Sequence, residues 1–176
     1  LIQGMLGFWD KDLTKVAVEA DLAAASRTPT RAAQALFFSG GVDSMFTLLQ
    51  HADTITDLIY VHGFDVPLAA TALRRSISDY LTQIADLFAV NLVEVETDLR
   101  SLLDANTSWL YGHGPAIATI AHLLAPWYSR ILIAGTYSYA KLLPCGTHPL
   151  LDPLWSTAAT EFMHDGADVA RADKVA

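Results

Sequence analysis

The sequence predicts an α/β fold in which a mostly parallel sheet is covered by helices on both faces. Three observations predict it. Short apolar runs alternate four times with stretches of helical period, a pattern that implies right-handed crossovers between parallel strands. A loop of Ser, Gly and Asp joins the first apolar run to a helix-like stretch. With 176 residues, 52% hydrophobic and 17% charged, the chain suits one well-buried domain rather than a disordered one.

The elements follow in order. From Asp10 to Ser26, Leu13, Val16, Ala17, Ala20, Ala23 and Ala24 recur at helical spacing, so residues 1–30 read as an N-terminal helical segment ahead of a domain over 31–176. Arg27-Thr28-Pro29-Thr30 reads as a loop. Strand one is expected over Ala35 to Phe38, with a helix after the glycine loop as far as His51. Leu58 to Val61 reads as strand two, broken by Gly63, Asp65 and Pro67. The clearest helix runs from Ala69 to Phe88, with Leu73, Ile77, Leu81, Ile84 and Phe88 at steps of three or four. Leu92 to Glu96 alternates as a half-exposed or edge strand does. Pro115 suits the first turn of the next helix, which Pro126 limits, and Arg130 to Ala134 is strand four. Asp152-Pro153 resembles an N-cap with proline at N1, opening a helix to about Thr160, and Glu161 to His164 is a short fifth strand.

The chemistry sits in Ser39-Gly40-Gly41-Val42-Asp43-Ser44. Adjacent glycines let the backbone turn its N–H groups toward an anion, and a following helix adds unpaired donors and a positive dipole end. Ser39 and Ser44 add hydroxyls, and Asp43 suits a magnesium ion bridging phosphate oxygens. The bland alternative is a Gly-Gly turn into a helix capped by Asp43 or Ser44. A Walker A loop is excluded, because no lysine lies between Lys15 and Lys141. The dinucleotide fingerprint is absent from this loop as well. In parallel sheets ligands bind beyond the carboxyl ends of the strands, so Val61-His62-Gly63, Thr97-Asp98 and Gly135-Thr136-Tyr137 are expected on the same rim.

Charge and cysteine usage set bounds. A net charge of −8 argues against nucleic acid as a partner. Arg74-Arg75, the one adjacent basic pair, is expected in solvent. Cys145 stands alone, so neither an internal disulfide nor a zinc cluster of cysteines is available. No apolar run reaches the roughly eighteen residues of a membrane span, and no signal-peptide pattern is present, so a soluble, cytoplasmic chain is expected. Because the chain begins at Leu1 and stops in an alanine-rich stretch, a piece of a longer protein lacking a C-terminal zinc or substrate region is a further expectation.

The hexapeptide S-G-G-x-D-S resembles the signature of the PP-loop ATP pyrophosphatases, nearest to the branch of 7-cyano-7-deazaguanine synthase and more distantly NAD synthetase and asparagine synthetase. The resemblance covers most of the chain after residue 35. It implies a three-layer α/β/α fold with a mostly parallel five-stranded sheet of the adenine nucleotide alpha-hydrolase type. It further implies cleavage of ATP to AMP and pyrophosphate. Ser39, Gly40, Gly41, Val42, Asp43 and Ser44 would then cradle the β and γ phosphates, with Mg²⁺ at Asp43. Val61 and His62 would border adenine, and Gly135 and Thr136 would lie along the nucleotide. Arg171-Ala172-Asp173-Lys174 loosely resembles the loop whose cation reaches the phosphates, with Arg171 and Lys174 both open for that place. Pairing of such enzymes through helices implies a homodimer.

Two departures accompany the resemblance. The cysteine-rich zinc motif of the deazaguanine synthases is missing, and their Tyr-Pro-Asp signature is replaced by His148-Pro149-Leu150-Leu151-Asp152-Pro153. The expected reaction is therefore the general one. A small-molecule carboxylate or amide-type oxygen attacks the α phosphate, and a nitrogen or sulfur nucleophile then displaces AMP. The acceptor is expected in the polar loop 135–149, with Tyr139, His148 and Asp152 as candidates. Each has an ordinary alternative: Asp152 as an N-cap, His148 as a satisfied histidine, the tyrosines as core edges. The rival class is a non-catalytic ATP or AMP module, or the nucleotide half of a larger ligase.

Overall fold

The computed structural model describes residues 1–19 and 33–175. The element order is α1 (Ile2–Trp9), β1 (Ala33–Phe37), α2 (Val42–Gln50), β2 (Asp57–His62), α3 (Thr71–Phe88), β3 (Asn91–Glu96), α4 (Leu99–Asp104), α5 (Trp109–Leu124), β4 (Tyr128–Ala134) and β5 (Glu161–Asp165). Short 3₁₀ turns cover Ala125–Trp127, Tyr139–Lys141, Asp152–Trp155 and Asp173–Val175.

The five strands are all parallel and lie in the order β3-β2-β1-β4-β5. Strand side chains alternate between faces, and each face finds its own cover. Leu36, Phe38, Leu58, Tyr60 and Leu132 pack with Leu48 of α2 and Leu81 and Ala85 of α3. Ala35, Ile59, Val61, Ile131 and Ile133 pack with Ala116, Ile120 and Ala121 of α5. The result is the expected three-layer α/β/α arrangement. A residue such as Leu58, with no exposed surface, contributes about 1.5–3 kcal/mol by burial. β2 is buried along its whole length, whereas β3 alternates with exposed positions as an edge strand does.

Strand order reverses between β1 and β4. There the chain, having stepped outward through β2 and β3, crosses to the other side of β1. The carboxyl ends of β1 and β4 diverge at that point and open a crevice.

Four local expectations are corrected. Residues 10–19 are not helical; the helix precedes them as α1. Asp10 turns extended, and its carboxylate accepts the N–H of Asp12 at 3.0 Å, a local bond that competes with helix continuation. The remainder of that predicted helix and the loop at 27–30 lie outside the described residues. Helix α5 starts at Trp109, capped by Ser108, so Pro115 stands inside it rather than in its first turn. The Gly146 N–H donates to the Leu110 carbonyl, one residue before the Tyr111 carbonyl that Pro115 deprives of its helical donor, so a loop seats against the first turns of this helix. The helix expected from Asp152 to Thr160 is a single 3₁₀ turn, because the Asp152 carboxylate is drawn to His148 and His164 instead of capping. Arg74 is not in open solvent: it pairs with Glu96 and donates to the Leu68 carbonyl, with its side chain 17% exposed. Among the described residues no helix is long and apolar enough to cross a membrane.

Candidate functional site

Gly40 adopts φ +75°, a left-handed conformation in which a side chain is strained. A Cβ there would also lie 2.8 Å from the Tyr80 ring. This turn ends at Gly41, the extended N-cap of α2. Ser39 Oγ accepts the Gly41 N–H at 3.3 Å and lies 3.3 Å from Ser44 Oγ, while the Ser44 hydroxyl donates to the Gly41 carbonyl at 3.0 Å. Val42, Asp43 and Ser44 form the first turn, whose N–H groups have no carbonyl four residues back within the helix. The loop is thus held in shape by bonds within itself.

Asp43 is the hub of this rim. Lys174 Nζ donates to its Oδ1 at 3.2 Å, Thr136 Oγ1 donates to Oδ2 at 3.2 Å, and Arg171 Nε lies 3.5 Å from Oδ2. The two cations differ in setting. The Lys174 side chain is fully buried, also donates to the Gly135 carbonyl at 2.5 Å, and stands 5.5 Å from the Phe46 ring centroid. The Arg171 side chain is 60% exposed. Three side chains, from positions 136, 171 and 174, therefore meet at the Asp43 carboxylate.

Asp165, at the end of β5, ties the same region together. It accepts from Thr47 at 2.7 Å and lies 2.9 Å from His51 Nε2, linking α2 to the sheet edge.

Beside the hub a cleft of about 230 Å³ opens between the ends of β1, β2 and β4. Ser39, Asp43, Ser44 and Thr136 form its polar mouth, and Phe38, Ile59, Val61, Phe64 and Ile133 its apolar walls. Tyr60 also lines it; burial, then the negative charges of Asp65 and Glu94, pushes its phenol above the ordinary tyrosine range. His62 is not on the wall. It is buried with Nε2 2.8 Å from Glu94 Oε1, and its Nδ1 has no partner among the described residues.

A second pocket of about 170 Å³ adjoins the first and shares His113, Thr136 and Thr147 with it. It exists because a loop seats against α5. A Cβ on Gly114 would fall 1.8 Å from the Gly146 carbonyl oxygen, so only glycine permits this approach. His113 pins the loop. Its Nε2 accepts the Thr147 N–H at 3.2 Å, and its Nδ1 lies 2.9 Å from the Trp109 carbonyl, which fixes the neutral tautomer with the proton on Nδ1.

His148, Cys145 and His164 complete the polar side of this pocket. Burial lowers the His148 pKa, aided by His164 and opposed by Asp152. Burial first, and the Asp152 charge second, raises that of the Cys145 thiol. Such a thiol is held protonated, which does not suit a sulfur nucleophile. Asp152 has no exposed surface and lies behind the wall, with Oδ2 2.6 Å from His164 Nδ1. Tyr139 is 63% exposed and lines neither pocket.

Of the residues singled out from sequence, Ser39, Asp43, Ser44, Val61, Gly135, Thr136, Arg171, Lys174 and His148 border one of these two spaces or the Asp43 hub, and Gly40, Gly41 and Val42 line neither space. His164, Thr147 and Asp165 were not singled out. A strand-end rule could have flagged His164 and Asp165, since they close β5 at the same carboxyl edge. No protein-family model matches the chain, and no curated protein matches it.

Proposed function

We propose that the chain is an ATP-dependent adenylating enzyme of the PP-loop type. It would transfer AMP to the carboxylate or amide-type oxygen of a small molecule, release pyrophosphate, and pass the activated group to a nitrogen or sulfur nucleophile. The observation that carries this reading is the convergence of the Ser39–Ser44 loop, Lys174, Arg171 and Thr136 on Asp43 at the strand-order reversal. A turn that only joined a strand to a helix would not need a buried lysine brought from 131 residues away.

The residues divide the work. The N–H groups of the loop and of the first turn of α2, with the Ser39 and Ser44 hydroxyls, suit the β and γ phosphates. The apolar walls at Val61, Phe64 and Ile133 suit an adenine ring. Lys174 and Arg171 would offset the charge growing on the leaving pyrophosphate, and held charges of this kind are the main source of rate in such reactions.

The site fits magnesium in one specific way. Among the described residues no group of three or more His, Cys, Asp or Glu side chains is placed to hold a metal. Magnesium commonly takes one or two carboxylates and completes its shell with substrate phosphates and water, and Asp43 meets that need. When bound, the ion would neutralise and bridge phosphate oxygens. The second pocket, which adjoins the cleft at His113, Thr136 and Thr147, suits a small acceptor, with His148 on its wall.

The test is a calorimetric titration with Mg-ATP on the wild type, on Ser44→Ala and on Asp43→Ala/Ser44→Ala, each checked for folding by circular dichroism. Wild-type binding, weakened about 100-fold or more in the double variant, supports the reading; a few lost charge-assisted hydrogen bonds account for that size. A folded wild type that ignores Mg-ATP defeats it. Acceptors would then be screened by release of AMP and pyrophosphate.

A further inference from the structure

His164 and Asp152 form a pair that the nucleotide site does not use. Asp152 lies in the 3₁₀ turn after the pocket loop, and its carboxylate side chain is 1% exposed. Oδ1 accepts the His148 N–H at 3.2 Å, and Oδ2 lies 2.6 Å from His164 Nδ1. That contact places the neutral imidazole's proton on Nδ1 and leaves the Nε2 lone pair free. The His164 ring lines the second pocket, and Nε2 has no hydrogen-bond partner among the described residues. Gly135 makes room for it: a Cβ there would sit 2.4 Å from Nε2. The other two histidines of the pocket are spent on the backbone, His113 as above and His148 accepting the Leu150 N–H at 3.1 Å. An oriented imidazole with a free lone pair, backed by a buried carboxylate, is the arrangement of a general base.

We propose that His164 is the base for the second half-reaction, with Asp152 as its positioning residue. This rests on the adenylation reading. Ammonia or a primary amine enters the second pocket and attacks the activated carbon. Its lone pair forms the new carbon–nitrogen bond, the carbon–oxygen bond to AMP breaks, and AMP leaves as the phosphate anion. The surplus nitrogen proton passes to Nε2 of His164 and then to solvent. The pocket therefore selects a nucleophile that must lose a proton in order to react.

The experiment uses the full chain and diethyl pyrocarbonate, which acylates unprotonated imidazole nitrogens. Modified histidines are located by peptide mass spectrometry over a range of pH, beside a Mg-ATP titration. His164 is expected to react in the wild type, and about tenfold more slowly in Asp152→Asn, where the tautomer is no longer enforced. Mg-ATP affinity is expected to be equal in the two. The groups facing His164 during such a pH series are Asp152, His148, Cys145 and Tyr137.

An inert His164 in the folded wild type overturns the proposal, as does equal reactivity in the two proteins. If Asp152→Asn fails to fold, nitrogen-detected NMR of the wild type decides: the Nδ1–H tautomer supports the dyad, and the Nε2–H tautomer overturns it. Failure of the wild type to bind Mg-ATP while His164 still responds to Asp152 overturns the adenylation reading, and with it the assigned step, but not the activated imidazole. With an acceptor in hand, His164→Gln is expected to cut amide formation from ammonia about 100-fold. Hydroxylamine, whose more acidic adduct nitrogen gives its surplus proton to water more readily, should lose much less, and equal losses would overturn the assignment.

Discussion

Two neighbouring spaces share His113, Thr136 and Thr147 but are built from different forces. The cleft beside the glycine loop is assembled by charge: one carboxylate, Asp43, gathers Lys174 and Arg171 across more than a hundred residues. The second pocket is assembled by neutral imidazoles and glycines: His113 and His148 accept backbone N–H groups, and Gly114 and Gly146 let a loop touch a helix. A charged hub can be re-paired by an incoming anion, so it suits a ligand that brings its own charge. Neutral histidines satisfied by the backbone hold a wall without adding a field, so they suit a small guest recognised by shape.

The contrast can be broken at the hub first. Asp43→Ala leaves the buried Lys174 ammonium without its carboxylate, and is expected to cost about 3–5 kcal/mol in urea unfolding. Lys174→Met, which leaves Asp43 with Thr136 and Arg171, should cost less. Equal costs would mean that the pair is not what holds the rim.

His113→Phe tests the other region. It strips the Thr147 N–H of its acceptor inside the fold, an expected loss of about 1–3 kcal/mol; because His113 also borders the first cleft, Mg-ATP affinity in calorimetry should fall, but by less than in the hub variants. A fall in nucleotide affinity as large as that from the hub variants would erase the distinction between the two spaces.

Acid gives the smallest effect. Burial holds the His148 pKa below its ordinary value, so the unfolded chain takes up a proton before the folded one does. This contribution is fully present above the ordinary histidine pKa of about 6.5 and is lost as pH falls from there through the lower folded value. Urea midpoints measured between pH 7.5 and 5 should decline, and less steeply in His148→Gln. An identical slope in that variant would remove His148 as a cause.

How much of this was legible follows from distance along the chain. β1, the glycine loop and α2 are contiguous, so the phosphate-type loop could be read as one unit from residues 35–51. The edge character of β3 was legible in its alternation. Helix α4, six residues long, offers too few turns for a period to emerge. Helix α5 was misread because Pro115 signals a helix start by local rules, while the start is set upstream by the Ser108 cap. Asp152 was read as a cap by its neighbour Pro153, yet a histidine twelve residues away took its carboxylate.

What the sequence determined by itself was the layered α/β fold and the loop at the end of its first strand. Both rest on period and on backbone freedom, which are local properties. Only the tertiary structure decided that Lys174 is the buried cation and Arg171 the exposed one, and that His164 faces the second pocket with Asp152 behind it. Desolvation made those choices. A charge or an imidazole is oriented by what surrounds it once water is gone, and no spacing along the chain encodes that enclosure.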